Sequence, residues 1–146
     1  MIRVRLATLD DVQEILPRTR ALNAQEGIEI ADEPLEAGLR KLLADPSLGG
    51  VWLIEDERVL GHAVVTFGYD LEFGGRDAWL TELWIDEHAR GRGAGSAAVA
   101  LLDAELRERD VRALHLQVRE DNPAARLYER TGFERVPRIV MTRRMP

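Results

Sequence analysis

Apolar and polar positions alternate at the start of the chain and then take up a helical period. Residues 2–6 alternate apolar side chains with arginine, which predicts a short strand. Apolar residues recur at three- and four-residue spacing over 8–25 and over 33–45, which predicts two helices. Because proline removes a backbone donor, we expect Pro17 to kink or divide the first helix.

A second pattern, rich in β-branched and aromatic residues, follows these helices. Residues 50–56 and 58–69 flank a tight acidic turn and predict a hairpin, and 77–85 predicts a third strand. After a glycine-rich segment, the spacing predicts a helix over 96–110 and a strand over 112–118. The segment 78–118 is therefore expected to form one βαβ unit, in which a helix joins two parallel strands.

The end of the chain predicts a short helix over 122–132 and then a hairpin of two strands, 133–136 and 138–144. The full order, β-α-α-β-β-β-α-β-α-β-β, predicts an α/β protein with a mixed sheet of about seven strands. No repeat or linker divides residues 1–146, so we expect a single domain.

Composition narrows the possible functions. The chain of 146 residues is 45% apolar and has a net charge of −6, which argues against nucleic-acid binding by counterion release. No apolar run approaches the roughly 18 residues of a membrane helix, and we expect a cytoplasmic protein without a membrane partner. Cysteine is absent and the three histidines lack ligand spacing, so no metal site is expected. The last predicted strand would leave a sheet edge exposed, which makes a homodimer an open possibility.

The segment EHARGRGAGSAA, residues 87–98, is the most distinctive of the chain. Glycines between a strand and a helix let backbone amides converge on an anion, and the helix dipole adds positive potential. No lysine follows the last glycine, which excludes a P-loop, and Ser96 stands where a dinucleotide fingerprint needs its third glycine. The pattern [Arg/Gln]-x-x-Gly-x-[Gly/Ala] is met by Arg90, Gly93 and Gly95. A tight turn without a ligand is the alternative interpretation.

With its flanking segments, this pattern resembles the GNAT superfamily of N-acetyltransferases. The strand LTELWIDEHARGRGAG resembles the superfamily's fourth strand and acyl-CoA loop, and LHLQVREDNPAARLYERTGF resembles its fifth strand and following helix. The resemblance is close over 78–136 and implies the GNAT fold, acetyl-CoA as donor and a primary amine as acceptor. Asn122 and Tyr128 are six positions apart where family members commonly have seven, and Asp121 stands where the register would put the asparagine.

The resemblance also implies which residues hold the cofactor. They lie at the end of the fourth strand, in the glycine segment and on the following helix: Leu83, Trp84, Ile85, Arg90, Gly91, Arg92, Gly93, Ala94, Gly95, Ser96, Asn122, Ala125 and Tyr128. A backbone N–H of Leu83 or Ile85 is implied as the donor to the thioester oxygen. Tyr128 matches the family's general acid.

Glu82 is the candidate for the remaining task, which is to take a proton from the acceptor amine. It is the only titratable side chain within 80–85, so we expect it to act as general base or to position the amine. The period of a strand predicts that it shares a face with Leu80 and Trp84. An exposed, idle glutamate at a diverging strand end is the alternative.

The sequence also favours direct attack on acetyl-CoA in a ternary complex. A covalent acetyl-enzyme would need a nucleophile, but cysteine is absent and the only serines are Ser47, in a loop, and Ser96, in the glycine segment. We expect acceptor specificity to come from the first two helices and the loops around 23–34 and 67–77, and the acidic and aromatic residues of YDLEFGGRDAW (69–79) favour a small cationic amine. Acetylation of a protein N-terminus or lysine, a non-catalytic acyl-CoA-binding module and a Rossmann-like nucleotide protein remain alternatives.

Overall fold

A computed structural model describes residues 1–146, in which five strands form one mixed sheet in chain order. The first four strands are antiparallel to their neighbours and the fifth runs parallel to the fourth. The strands are β1 (Arg3–Leu6), β2 (Gly49–Asp56), β3 (Arg58–Asp70), β4 (Gly75–Ile85) and β5 (Ala113–Leu116). The helices are α1 (Val12–Glu26), α2 (Asp32–Ala44), α3 (Ala94–Glu108) and α4 (Ala124–Arg130). The predicted βαβ unit is confirmed as β4–α3–β5.

Each face of the sheet carries its own apolar core. Val51 and Leu53 of β2 pack with α1 and α2, whereas Trp52 between them packs with α3. Because side chains of a strand point alternately to opposite faces, a strand buried on both sides reads as a continuous apolar run. None of the four helices is both long and apolar enough to cross a membrane.

Helix α1 is not divided at Pro17 but continues to Glu26. The turn before it is capped by Thr8, whose hydroxyl accepts from the amide of Asp10. Gly27 ends α1 in the left-handed conformation, at φ 69°. The buried side chains on one face of α1, which pack on the sheet, stabilise the helix despite the missing donor.

The terminal hairpin predicted over 133–144 is wrong, and the sheet has five strands rather than about seven. A strand needs a neighbour for its backbone, and beyond Phe133 the only backbone bond runs from the amide of Arg138 to Val136, 2.8 Å away. Side-chain pairs hold this segment instead, including Arg138 with Glu72 at 2.9 and 3.2 Å. Strand propensity without a partner edge therefore did not produce a strand here.

A bulge in β4 positions the site. Val65 of β3 pairs with Leu80, but its neighbour Val64 pairs with Glu82, so that Thr81 is the extra residue. Pairing of β4 with β5 also stops at Leu80, although β4 continues to Ile85. Because β5 ends at Leu116, the edge of β4 that faces it has no partner strand from Thr81 onward, and we call this interruption of the pairing the gap in the sheet.

Candidate active site

The glycine segment leaves a row of backbone amides free. Gly91 and Gly93 adopt the left-handed conformation, at φ 76° and 80°, and Gly93 precedes the first turn of α3. The amides of residues 91–96 donate to no acceptor in the protein. A Cβ on either glycine would meet no atom within 4 Å, so the space beside the turn is open. Six free amides at the positive end of a 15-residue helix suit an anion such as a pyrophosphate.

Arg90 connects this turn to the end of β4. Its Nε donates to the carbonyl oxygen of Ile85 at 2.7 Å, and its guanidinium lies 4.6 Å from the ring centroid of Trp84. These contacts hold the chain at the point where the strand passes into the glycine turn. Arg92 makes no hydrogen bond or ion pair within the chain, so its charge is available to an external anion.

Helix α4 lies directly against the first turn of α3. A Cβ on Gly95 would stand 3.2 Å from Cδ2 of Leu127, so an alanine there would require the leucine side chain to shift by a few tenths of an ångström. Tyr128 follows on α4, packs against the α3 core and meets the ring of Phe133 edge-on at 5.7 Å. Burial raises the pKa of the Tyr128 phenol, and the nearby negative charge of Glu26 raises it further.

The side chain of Asn122 lies at the start of α4, where Oδ1 accepts from the amide of Ala124 at 2.9 Å. This bond occupies one function of the carboxamide and leaves its NH₂ group free. Ala125 is buried within α4. The contact of Asn122 and Ala125 with a cofactor remains a prediction.

The bulge at Thr81 corrects the predicted face of Glu82. Leu80 belongs to the α3 core, whereas Glu82 lies opposite Val64, whose side chain belongs to the core beneath α1 and α2. Glu82 does share its face with Trp84, but not with Leu80, because the extra residue reverses the alternation between them. A period of two predicts the wrong face wherever a bulge intervenes.

Two side chains that sequence reasoning missed hold the carboxylate of Glu82. The Thr19 hydroxyl donates to Oε1 at 2.8 Å, and Nε2 of His62 lies 2.9 Å from the same oxygen. Thr19 and His62 are buried, and the Glu82 side chain is 20% exposed. A polar residue at the centre of an apolar strand was the available signal for His62. That His62 contacts Glu82 could not be predicted from the sequence, because the contact depends on the register between β3 and β4.

Glu82 and Tyr128 approach the gap in the sheet from opposite faces. Glu82 lies beneath α1, while Tyr128 and Leu83 each pack against the core beneath α3. The unpaired edge of β4 runs between these two faces. The two candidate residues therefore lie on opposite faces of the sheet.

A charged network anchors α1 to the end of β4. Arg18 donates twice to Asp86, at 2.7 and 2.9 Å, and the indole of Trp84 donates to the same carboxylate at 3.1 Å. Burial raises the pKa of Asp86, but the hydrogen bonds and charge of Arg18 outweigh burial, so the pKa is lowered overall. The network keeps Thr19, next to Arg18, over Glu82.

A surface cleft with a volume of about 530 Å³ lies where α1 passes into α2. It includes neither Glu82 nor the glycine segment. Its lining mixes apolar side chains with two carboxylates and one arginine: Arg20, Asn23, Ala24, Ile28, Glu29, Ile30, Ala31, Asp32 and Leu35. It belongs to the segment 23–34 from which acceptor recognition was predicted.

The model of the acetyltransferase (GNAT) family matches residues 10–133, which span both faces of the site. The chain belongs to this family. The resemblance seen in the glycine segment is thereby confirmed, and the fold class with it.

Curated GNAT relatives support this membership. An acetyltransferase of Pectobacterium atrosepticum is 35% identical over 107 residues, which cover 73% of this chain and 71% of that protein. The [ribosomal protein bS18]-alanine N-acetyltransferase of Haemophilus influenzae is 34% identical over 84 residues, or 58% of this chain. This match spans about half of the Haemophilus influenzae protein, 53% of its length.

A crystal structure of a predicted acetyltransferase from Clostridium acetobutylicum with acetyl-CoA has the same fold. It aligns with a TM-score of 0.80 and 20% identity, over 98% of this chain and 96% of that one. At this identity, the likeness extends to the GNAT fold alone.

Proposed function

We propose that this protein transfers an acetyl group from acetyl-CoA to a primary amine, by direct attack within a ternary complex. The observation that carries the proposal is the row of free amides at residues 91–96, next to a gap in the sheet that Glu82 borders. Family membership supports acetyl transfer in general. The roles of individual residues and the acceptor belong to the proposal.

The glycine turn is suited to the pyrophosphate of acetyl-CoA, since its amides are free and no side chain fills the space beside it. Arg92 adds a charge without a partner in the chain. Acetyl-CoA, when bound, supplies an activated acetyl carbon. The unpaired edge of β4, with the amides of Leu83 and Ile85, offers the backbone donors that the acetyl oxygen requires.

Glu82 takes a proton from the acceptor. An alkylammonium with a pKa near 10.4 is only about 0.04% free base at pH 7, so a carboxylate that receives its proton raises the reactive fraction. Two hydrogen bonds hold Oε1 of Glu82, while Oε2 accepts none from the protein. The ammonium therefore meets Oε2.

Tyr128 holds a proton on its phenolic oxygen at neutral pH, because burial and Glu26 both disfavour the phenolate. This proton is available on the face of the sheet opposite Glu82. Over the whole reaction, the acceptor nitrogen exchanges two protons for the acetyl group: one replaces acetyl on sulfur and one passes to solvent. No protein nucleophile is needed for this balance.

A small cationic amine is the acceptor class that the surroundings favour. The cleft between α1 and α2 carries Glu29 and Asp32, and Glu26 lies near Tyr128. A protein N-terminus is the second candidate, because the Haemophilus influenzae relative is named as an alanine N-acetyltransferase of a ribosomal protein. The two candidates share an amine nucleophile and differ in what surrounds it.

The test is a panel of acceptors assayed by release of CoA, with wild-type protein and Glu82→Gln. The panel contains a polyamine, an aminoglycoside, a peptide with N-terminal alanine and an uncharged aromatic amine. We expect turnover of a cationic member and a loss of roughly 100-fold or more in kcat for Glu82→Gln, the usual range for general-base removal.

Turnover of the alanine peptide alone would move the proposal to the second candidate. Binding of acetyl-CoA without turnover of any amine would favour the non-catalytic module. Wild-type kcat in Glu82→Gln would contradict the assignment of the base.

A further inference from the structure

We infer that Thr19 and His62 are positioning residues that orient the carboxylate of Glu82 toward the acceptor amine. The inference rests on the proposed function of Glu82 and goes beyond it to residues on two other elements. Both donors meet the same oxygen: Oγ1 of Thr19 lies 2.8 Å and Nε2 of His62 lies 2.9 Å from Oε1. Two donors on one carboxylate oxygen fix the rotation of the group and leave the other oxygen free.

The free oxygen is the one that solvent can reach. Oε2 of Glu82 accepts no hydrogen bond from the chain, and the only buried side-chain polar atom without a partner is Nδ1 of His62. The side chain of Glu82 is 20% exposed, so its unpaired oxygen faces the opening. An ammonium that approaches the gap therefore meets a lone pair that no protein donor occupies.

The surroundings of His62 determine which ring nitrogen carries the proton. A carboxylate only accepts hydrogen bonds, so the bond to Glu82 requires a proton on Nε2. Nδ1 is buried and has no partner, and a second N–H there would be an unsatisfied buried donor. The geometry therefore places a proton on Nε2, from which the ring donates to Glu82.

His62 is not placed to relay the proton onward. Its side chain is 0% exposed, and no acceptor lies within hydrogen-bond distance of Nδ1. A proton taken up by Glu82 must leave by the same side from which it arrived. The contribution of His62 is thus to hold Glu82, not to carry its proton.

Three elements meet at this carboxylate, and each is fixed independently of it. Thr19 comes from α1, which the Arg18–Asp86 pair anchors to the end of β4. His62 lies on β3 opposite Trp84. The bulge at Thr81 turns Glu82 onto the face that these two side chains share.

The test compares matched variants at each position. Thr19→Val keeps the shape of the side chain and removes the hydroxyl, whereas Thr19→Ser keeps the donor. His62→Met fills the buried site without a donor, whereas His62→Gln keeps an N–H near the position of Nε2. Each is measured for kcat, for KM of the acceptor and for acetyl-CoA affinity by calorimetry. Thr19→Val is also combined with Glu82→Gln.

Loss of one hydrogen bond to a charged group is expected to lower kcat roughly tenfold in Thr19→Val and in His62→Met. Thr19→Ser and His62→Gln should keep about a third or more of the wild-type kcat, and acetyl-CoA affinity should change by less than about twofold in all four. In the Glu82→Gln background, Thr19→Val should lower kcat no further, because the carboxylate it orients is gone.

Three outcomes would overturn the inference. Thr19→Val and His62→Met could both retain wild-type kcat while Glu82→Gln is inactive, which would leave Glu82 as the base without these supports. Thr19→Val could lower kcat equally with and without the carboxylate, which would make Thr19 merely structural. Wild-type kcat in Glu82→Gln would instead remove the proposed base itself, and the inference with it.

Discussion

The proposed chemistry depends on the surroundings of two side chains, Glu82 and Tyr128. Glu82 lies at a strand position where its side chain is 20% exposed and its carboxylate is held by Thr19 and His62. Tyr128 lies among apolar side chains, and its hydroxyl makes no hydrogen bond within the chain. The surroundings of Glu82 keep its carboxylate oriented, and the surroundings of Tyr128 keep a proton on its phenolic oxygen.

The Tyr128 phenol should ionise above its ordinary pKa of about 10. The chain has two tyrosines, so Tyr69→Phe leaves Tyr128 as the only phenol. The ultraviolet absorbance of the phenolate follows the titration of Tyr128, and a free tyrosine amide titrated in the same way serves as the reference. Burial and the charge of Glu26 both disfavour the phenolate, so its midpoint should lie above that of the reference. A midpoint at or below the reference, in protein that circular dichroism shows to be folded, would contradict the burial of this group.

At the scale of elements, the close pairing of β3 with β4 creates the site. The bulge at Thr81 brings Glu82 and His62 to one face, and the end of pairing with β5 opens the gap beside them. Gly61 permits this pairing, because a Cβ at that position would overlap the carbonyl oxygen of Trp84. Backbone atoms, unlike the end of a flexible side chain, cannot move aside without disturbing the strand.

Gly61→Ala should therefore lower the free energy of unfolding by about 1–3 kcal/mol, the usual cost of overpacking. Gly38→Ala is the matched control, since its Cβ in α2 would meet no atom within 4 Å. The control should raise the free energy of unfolding by about 0.5–1 kcal/mol, because alanine favours the helix. Urea denaturation measures both. Equal effects of the two substitutions would show that β3 and β4 are not held as closely as described.

At the scale of the whole molecule, an acidic chain is proposed to bind a polyanionic cofactor. The net charge of −6 opposes this binding at long range, so local donors at residues 91–96 must supply the attraction. Helix α3 directs its positive end to the same place. Affinity then depends on one turn of the backbone and not on the overall charge.

Acetyl-CoA should stabilise the folded protein, while NAD should not. At 100 times its dissociation constant, a ligand adds about 2.7 kcal/mol, which for a domain of this size raises Tm by roughly 5–10 °C. Differential scanning fluorimetry with acetyl-CoA, CoA and NAD measures the shift. Stabilisation by NAD alone would point to the Rossmann-like alternative and away from acetyl transfer.

Much of this architecture follows from local sequence. The four helices and five strands lie close to where periodicity predicts them, because burial of one helix face or of both strand faces leaves a regular apolar pattern. The glycine turn was also readable, since Gly91 and Gly93 permit the left-handed conformation that frees their amides. Strand pairing, by contrast, depends on distant partners. The apolar tail at 138–144 has strand propensity but forms no strand, because no edge pairs with it.

What the sequence by itself determined is the family, the order of the elements as far as α4 and the left-handed glycine turn, because each depends on residues close together in the chain. Only the tertiary structure decided which face Glu82 occupies and which side chains hold it. Thr19 and His62 are 63 and 20 residues from Glu82 along the chain, and the bulge that unites them is a property of two paired strands. Such contacts leave no periodic signal, because they arise from register and packing.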